Sequence, residues 1–185
     1  MILWIVVGIV AAVILWLIAT YNRLIRLTVR TDEAWRNIDT LLRQRADLIP
    51  NLVEVVKGYA SHEREILERV AEARSASLKA RTPREQGEAD NFLSETLKSL
   101  FAVVENYPEL KANENFLELQ RSLEDLEEKI ARSRRYYNAV VRDLNTAIRS
   151  FPTNMVAGFF GIRTREFYAL PPEAMREPPE VSFSE

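Results

Sequence analysis

The stretch Arg45 to Glu63, RADLIPNLVEVVKGYASHE, lies inside an apolar pattern that steps by alternating threes and fours. Leu42, Arg45, Ile49, Leu52, Val56, Tyr59, Glu63, Ile66 and Val70 keep a single phase, the spacing of a bundle or coiled-coil seam. A proline, Pro50, sits in the middle of it, and two charged residues, Arg45 and Glu63, occupy the seam itself. The seam extends back through Trp35 and Ile38 and forward to Ala73. Unbroken phase across Pro50 predicts one long helix, kinked where the proline removes a backbone hydrogen bond and ending near Lys79 to Arg81. The alternative is an N-cap at Asp47, with Pro50 in the permissive first turn of a new helix. Gly58 is a weak spot, costing roughly 1 kcal/mol relative to alanine.

Two further long helices follow. Thr82-Pro83-Arg84-Glu85 combines a threonine cap, proline at the first helical position and glutamate three residues after the cap, a strong start signal. That helix carries Leu93, Leu100 and Val103 and stops near Asn106, before Pro108. Asn113 or Asn115 can cap a third helix, with a seam from Phe116 through Leu123, Ile130, Tyr137 and Leu144 to Phe151. Thr153 or Asn154 can begin a short helix through Met155 to Phe160, limited by Gly158 and Gly161. The rings of Phe167 and Tyr168 are expected to dock on the bundle, and a proline-rich, disordered tail to occupy 169–185.

Upstream, Ile2 to Ala19 is an unbroken apolar run of 18 residues. At the helical rise it measures ~27 Å, close to the hydrocarbon thickness of a bilayer. Trp4 lies near one end, and Trp16 and Tyr21 near the other, as interfacial anchors should. A cleaved signal peptide is the rival reading. It is the weaker one, because no basic residue precedes the run and no small-x-small site closes it. Arg23, Arg26, Arg30 and Arg36 follow the run, so the positive-inside bias puts the N-terminus outside and the body in the cytoplasm. The expected architecture is all-α: a single transmembrane helix over 1–20, continuing into an elongated antiparallel bundle of three long helices and a short C-terminal helix over 21–168.

Several of these residues resemble the LemA family of membrane-anchored helical proteins. They include Tyr21-Asn22, Ala34-Trp35 with Ile38-Asp39, Arg45-x-Asp47-Leu48-Ile49-Pro50-Asn51-Leu52-Val53, and Val56-Lys57-Gly58-Tyr59. Later come His62-Glu63, Tyr107-Pro108-x-Leu110-Lys111-Ala112-Asn113, Phe116-x-x-Leu119-Gln120, Tyr137-Asn138 and Phe151-Pro152-x-Asn154. The resemblance implies a bacterial single-pass protein of the cytoplasmic (inner) membrane, associated with envelope upkeep and stress. It implies no catalytic residues.

The residues themselves say little for catalysis. The 185-residue chain has no cysteine and one histidine, His62. Neither a HExxH zinc site nor a di-iron bundle can be built on that. No phosphate loop or nucleophile elbow is present, so no cofactor is expected. A net charge of −2 gives no electrostatic case for nucleic acid. An enzyme is thus the poorest of three function classes. A membrane-tethered scaffold is favoured over a signalling adaptor that relays a membrane state to a protein partner through the kinked first helix.

Two groups of residues stand out by position. Arg45 and Glu63, with Asp47 and His62 beside them, form a candidate buried polar network in which Arg45 reaches Asp47 or a carboxylate on the third long helix. Snorkelling of these side chains is the bland alternative. The second group rests on lengths. A first helix over Tyr21 to Lys79 would run ~88 Å, the second ~36 Å and the third ~55 Å. That leaves Leu24, Leu27, Trp35, Ile38 and Leu42 without cover. Homo-oligomeric packing, aided by the small residues Gly8 and Ala12 inside the membrane, is the simplest cover; a reversal at Asp47 would instead fold the stripe into the bundle.

Overall fold

The computed structural model describes residues 1–169. The chain is all-α. Among the described residues it forms six helices and no strand: α1 (Ile2–Tyr59), α2 (Arg64–Lys79), α3 (Pro83–Val104), α4 (Pro108–Lys111), α5 (Glu114–Arg149) and α6 (Thr153–Phe159). The proline-rich tail lies, from residue 170 on, outside the described residues. Two compact units divide the described residues, one of Met1–Leu41 with Asp125–Phe167, the other of Leu42–Glu124 with Tyr168 and Ala169.

The first long helix is shorter than the seam predicts. It ends at Tyr59, and α2 begins five residues later. The chain reverses there, so that Ile49, Leu52 and Val56 before the turn and Ile66, Leu67 and Val70 after it enter one core. Apolar phase carries across the turn because both flanks face the same interior. The two seam residues at the break behave differently: Tyr59 is exposed and Glu63 only half-buried. Gly58 weakens the last turn, and Ser61 to Glu65 is an uninterrupted polar run, which marks a loop tip.

Pro50 does not end α1. Proline at 50 leaves the Ala46 carbonyl without its helical N–H donor. Arg74 Nε, on α2, donates to that oxygen at 2.7 Å. The reversal at 60–63 thus supplies the partner that the proline takes away. Removing it with Arg74→Leu is expected to cost about 1–3 kcal/mol, the penalty of an unsatisfied buried acceptor. In a Pro50→Ala background the backbone makes its own bond, and the same substitution should cost far less. Chemical unfolding of the four variants measures the coupling; additive effects would show that the two residues act separately.

The Leu42–Glu124 unit is built from the end of α1, α2, α3 and the start of α5 around the Ile49–Leu123 core. Its caps are as the sequence predicts. Thr82 Oγ1 accepts from the Glu85 amide, and the Glu85 carboxylate accepts from the Thr82 amide. The backbone amides of Arg81 and Thr82 hold the Glu85 carboxyl below the usual carboxylate range. Asn113 Oδ1 accepts from the Phe116 amide to open α5.

In the other unit, α5 runs along α1. Asn37 donates to Ser133 at 3.1 Å and Trp35 meets the Tyr137 ring at 5.7 Å. Farther along, Leu24 packs with Ala147, Val156 and Ala157. The segment after α6 is tied down by side chains. Asn145 exchanges two 2.9 Å bonds with the backbone of Arg165, and Tyr137 Oη donates to the Glu166 carbonyl at 2.9 Å. Burial is the main reason that the Tyr137 phenol is pushed up to about 12. Phe167 stays half exposed.

Candidate functional site

The expected association stripe is not bare. Leu24, Ile38 and Leu42 are buried within the chain, and Leu27 and Trp35 are half-buried. The length argument fails because α1 stops at Tyr59. Over residues 21–41 the cover comes from α5 and α6, through Ser133, Tyr137, Ala147 and Val156. The small residues Gly8 and Ala12 do remain exposed, with open space around Gly8.

The four candidate polar residues do not form one network. Asp47 and His62 are exposed. Glu63 accepts from Tyr107 Oη at 2.8 Å, which pushes the Tyr107 phenol up. Arg45 is fully buried, and its carboxylate is Asp90 on α3, also fully buried. The sequence offered Asp47 and the third long helix; Asp47 points to solvent from the opposite side of α1, and α3 is the helix that packs against Arg45. Arg45 also donates to Ser94 Oγ at 3.1 Å. Tyr168 Oη donates to the other Asp90 oxygen at 2.7 Å. Beside them Gln86 donates to the Ser77 carbonyl and hydroxyl. Asp90 had no signal of its own, as one of many carboxylates on a helix; Tyr168 docks its ring as expected, but its bond to Asp90 could not be read from its place beside the proline-rich tail.

This cluster is closed and structural in character. A second locus is open. The end of the apolar run and α6 enclose a groove of about 460 Å³ lined by Trp16, Leu17, Ile18, Tyr21, Pro152, Met155, Val156, Phe159 and Phe160. Tyr21 and Phe160 meet with ring centroids 4.5 Å apart. The other anchor candidates, Ile2, Trp4, Arg23 and Arg26, are exposed, and Trp16 is partly so. No trio of histidine, aspartate or glutamate able to hold a metal occurs among the described residues.

The family model for the LemA family matches residues 34–183. The chain belongs to the LemA family. Among curated proteins, it is similar to the magnetosome proteins MamQ 1 and MamQ 2 of Paramagnetospirillum magneticum. Identity to each is 24% over 86% of this chain and 68% of the relative. MamQ of Magnetospirillum gryphiswaldense is likewise 24% identical, over 85% of this chain and 67% of its own length. Among the described residues, this LemA-family chain has one helix long and apolar enough to cross a membrane, and its most apolar 18 residues are not buried by the rest of the protein.

Proposed function

We propose that this protein is a non-enzymatic, membrane-anchored scaffold of the LemA type, acting at the cytoplasmic face of a bacterial membrane in envelope maintenance. The carrying observation is continuity. The apolar run shares α1 with the residues on which α5 packs, so one helix carries both the membrane segment and the first part of the folded body. Self-association then falls to the membrane segment, where Gly8 and Ala12 stand four residues apart and allow close helix approach. Orientation follows charge. Residues 1–31 hold Arg23, Arg26 and Arg30 beyond the run and no carboxylate, which favours a cytoplasmic body.

Because the chain has no cysteine, single cysteines report topology cleanly. A membrane-impermeant maleimide should label Ile2→Cys in intact cells and leave Ser99→Cys, on the exposed face of α3, unlabelled until the cells are permeabilised. The reverse pattern would sink the cytoplasmic assignment. In detergent the full chain should migrate as a homo-oligomer that Gly8→Leu reduces; a monomer in both cases removes the scaffold reading.

A further inference from the structure

We propose that residues 151–160 form a second membrane contact, a wedge that sinks into the bilayer leaflet beside the end of the apolar run, with lipid acyl chains filling its groove. Phe151, Met155 and Phe159 recur every four residues and are 80%, 66% and 84% exposed. On α6 that spacing puts Met155 and Phe159 on one side, and Phe151 stands exposed in the turn that leads into the helix. The opposite side of α6 is spoken for: Val156 and Ala157 are buried against Leu24 and Ala147, and Phe160 rests on Tyr21. The wedge therefore has a fixed orientation, its large apolar side chains turned outward.

The chain is also turned sharply at the end of the wedge. The Ile162 amide bonds the Ala157 carbonyl at 2.9 Å and the Gly161 amide bonds the Gly158 carbonyl at 3.3 Å, with Gly161 at φ +67°. This is a Schellman cap, for which glycine is suited. It returns the chain to α5 after a single short helix, as an element that dips into an interface and leaves it requires.

Lipid is the occupant because of where the groove lies. One wall is Trp16, Leu17 and Ile18, the last turn of the apolar run. A bilayer that covers Ile2 to Ala19 reaches the α6 wall at the same height, since Trp16 and Tyr21 are only ~8 Å apart along the axis. Charge agrees. Residues 1–31 and 144–165 together contain six arginines and no aspartate or glutamate. Exposed Arg23, Arg26, Arg149 and Arg163 suit the anionic headgroups above such a wedge. A second copy docked there would bring its own arginines against these.

The inference rests on the anchored reading above, and the test separates the two. Full-length protein carrying one nitroxide label at Met155→Cys, Phe159→Cys, Ile9→Cys or Ser99→Cys is placed in nanodiscs of phosphatidylethanolamine and phosphatidylglycerol. Collision with oxygen and with a water-soluble nickel chelate is then measured by electron paramagnetic resonance. Ile9 reads the anchor alone and Ser99 reads water. The labels at 155 and 159 should match Ile9, with an oxygen-to-nickel ratio several-fold above that of Ser99. A ratio at 155 and 159 like that of Ser99, with Ile9 lipid-exposed, overturns the wedge and leaves the anchor standing. Protection from both reagents at 155 and 159 points to cover by protein and overturns it as well. A water-like ratio at Ile9 overturns the anchor itself.

Discussion

Asp90→Ala is expected to destabilise the protein by about 3–5 kcal/mol, the cost of leaving one member of a buried ion pair without its counter-charge. Arg45 and Asp90 are both fully buried, so water cannot replace the lost carboxylate. Tyr168 loses its 2.7 Å acceptor in the same step. A drop of roughly 10 °C in the thermal midpoint of the detergent-solubilised chain would follow from that free energy. Asp90→Asn keeps one acceptor oxygen, enough for Arg45 but not for Tyr168 as well, and should cost less than alanine. The pair itself adds little net stability, because burying two charges consumes most of their attraction. Replacing the whole cluster, with Arg45→Met, Asp90→Leu and Tyr168→Phe, should therefore recover most of the loss. An Asp90→Ala variant within about 1 kcal/mol of the native chain would show that Arg45 finds solvent, as a snorkelling side chain does.

That cluster marks how far the sequence could be read. Helix type, the Thr82 and Asn113 caps and the membrane-length run were legible because each is a local signal of spacing and residue type. Arg45 was legible as anomalous, since a charge on an apolar seam is a conflict wherever the seam leads. Its partner was not, because pairing Arg45 with Asp90 depends on which helix packs beside α1. That was decided at Ala60–Glu63, where a reversal preserves apolar phase and so imitates a continuous helix. The same turn hid the cover over Leu24 and Ile38, and it supplied Arg74 to the carbonyl that Pro50 left open. Phe151 carried a different hint. It continues the α5 seam in sequence, yet it is 80% exposed, which fits an environment that the bundle alone does not provide.

Gly87→Ala should lower stability by about 2 kcal/mol although alanine is the better helix former by about 1 kcal/mol. A Cβ at Gly87 would lie 2.7 Å from the Ala169 nitrogen, 2.8 Å from its Cβ and 2.9 Å from its carbonyl oxygen. Two of those three atoms are backbone, so no rotamer change relieves the clash, and the segment has to lift away from α3. Lifting it withdraws Tyr168, whose burial is worth about 1.5–3 kcal/mol, together with its bond to Asp90, a charged hydrogen bond worth about 1.5–3 kcal/mol. Backbone freedom regained by the released residues offsets part of that loss. The losses outweigh the helical gain, and limited trypsin digestion should cut more readily near Arg165 in the variant. Sign reversal identifies the cause: in a chain ending at Phe167 the Ala169 atoms that crowd Gly87 are gone, and the same substitution should stabilise α3 by about 1 kcal/mol. If Gly87→Ala stabilises the full-length chain as well, Ala169 does not rest on α3 in solution and Tyr168 is not held against Asp90.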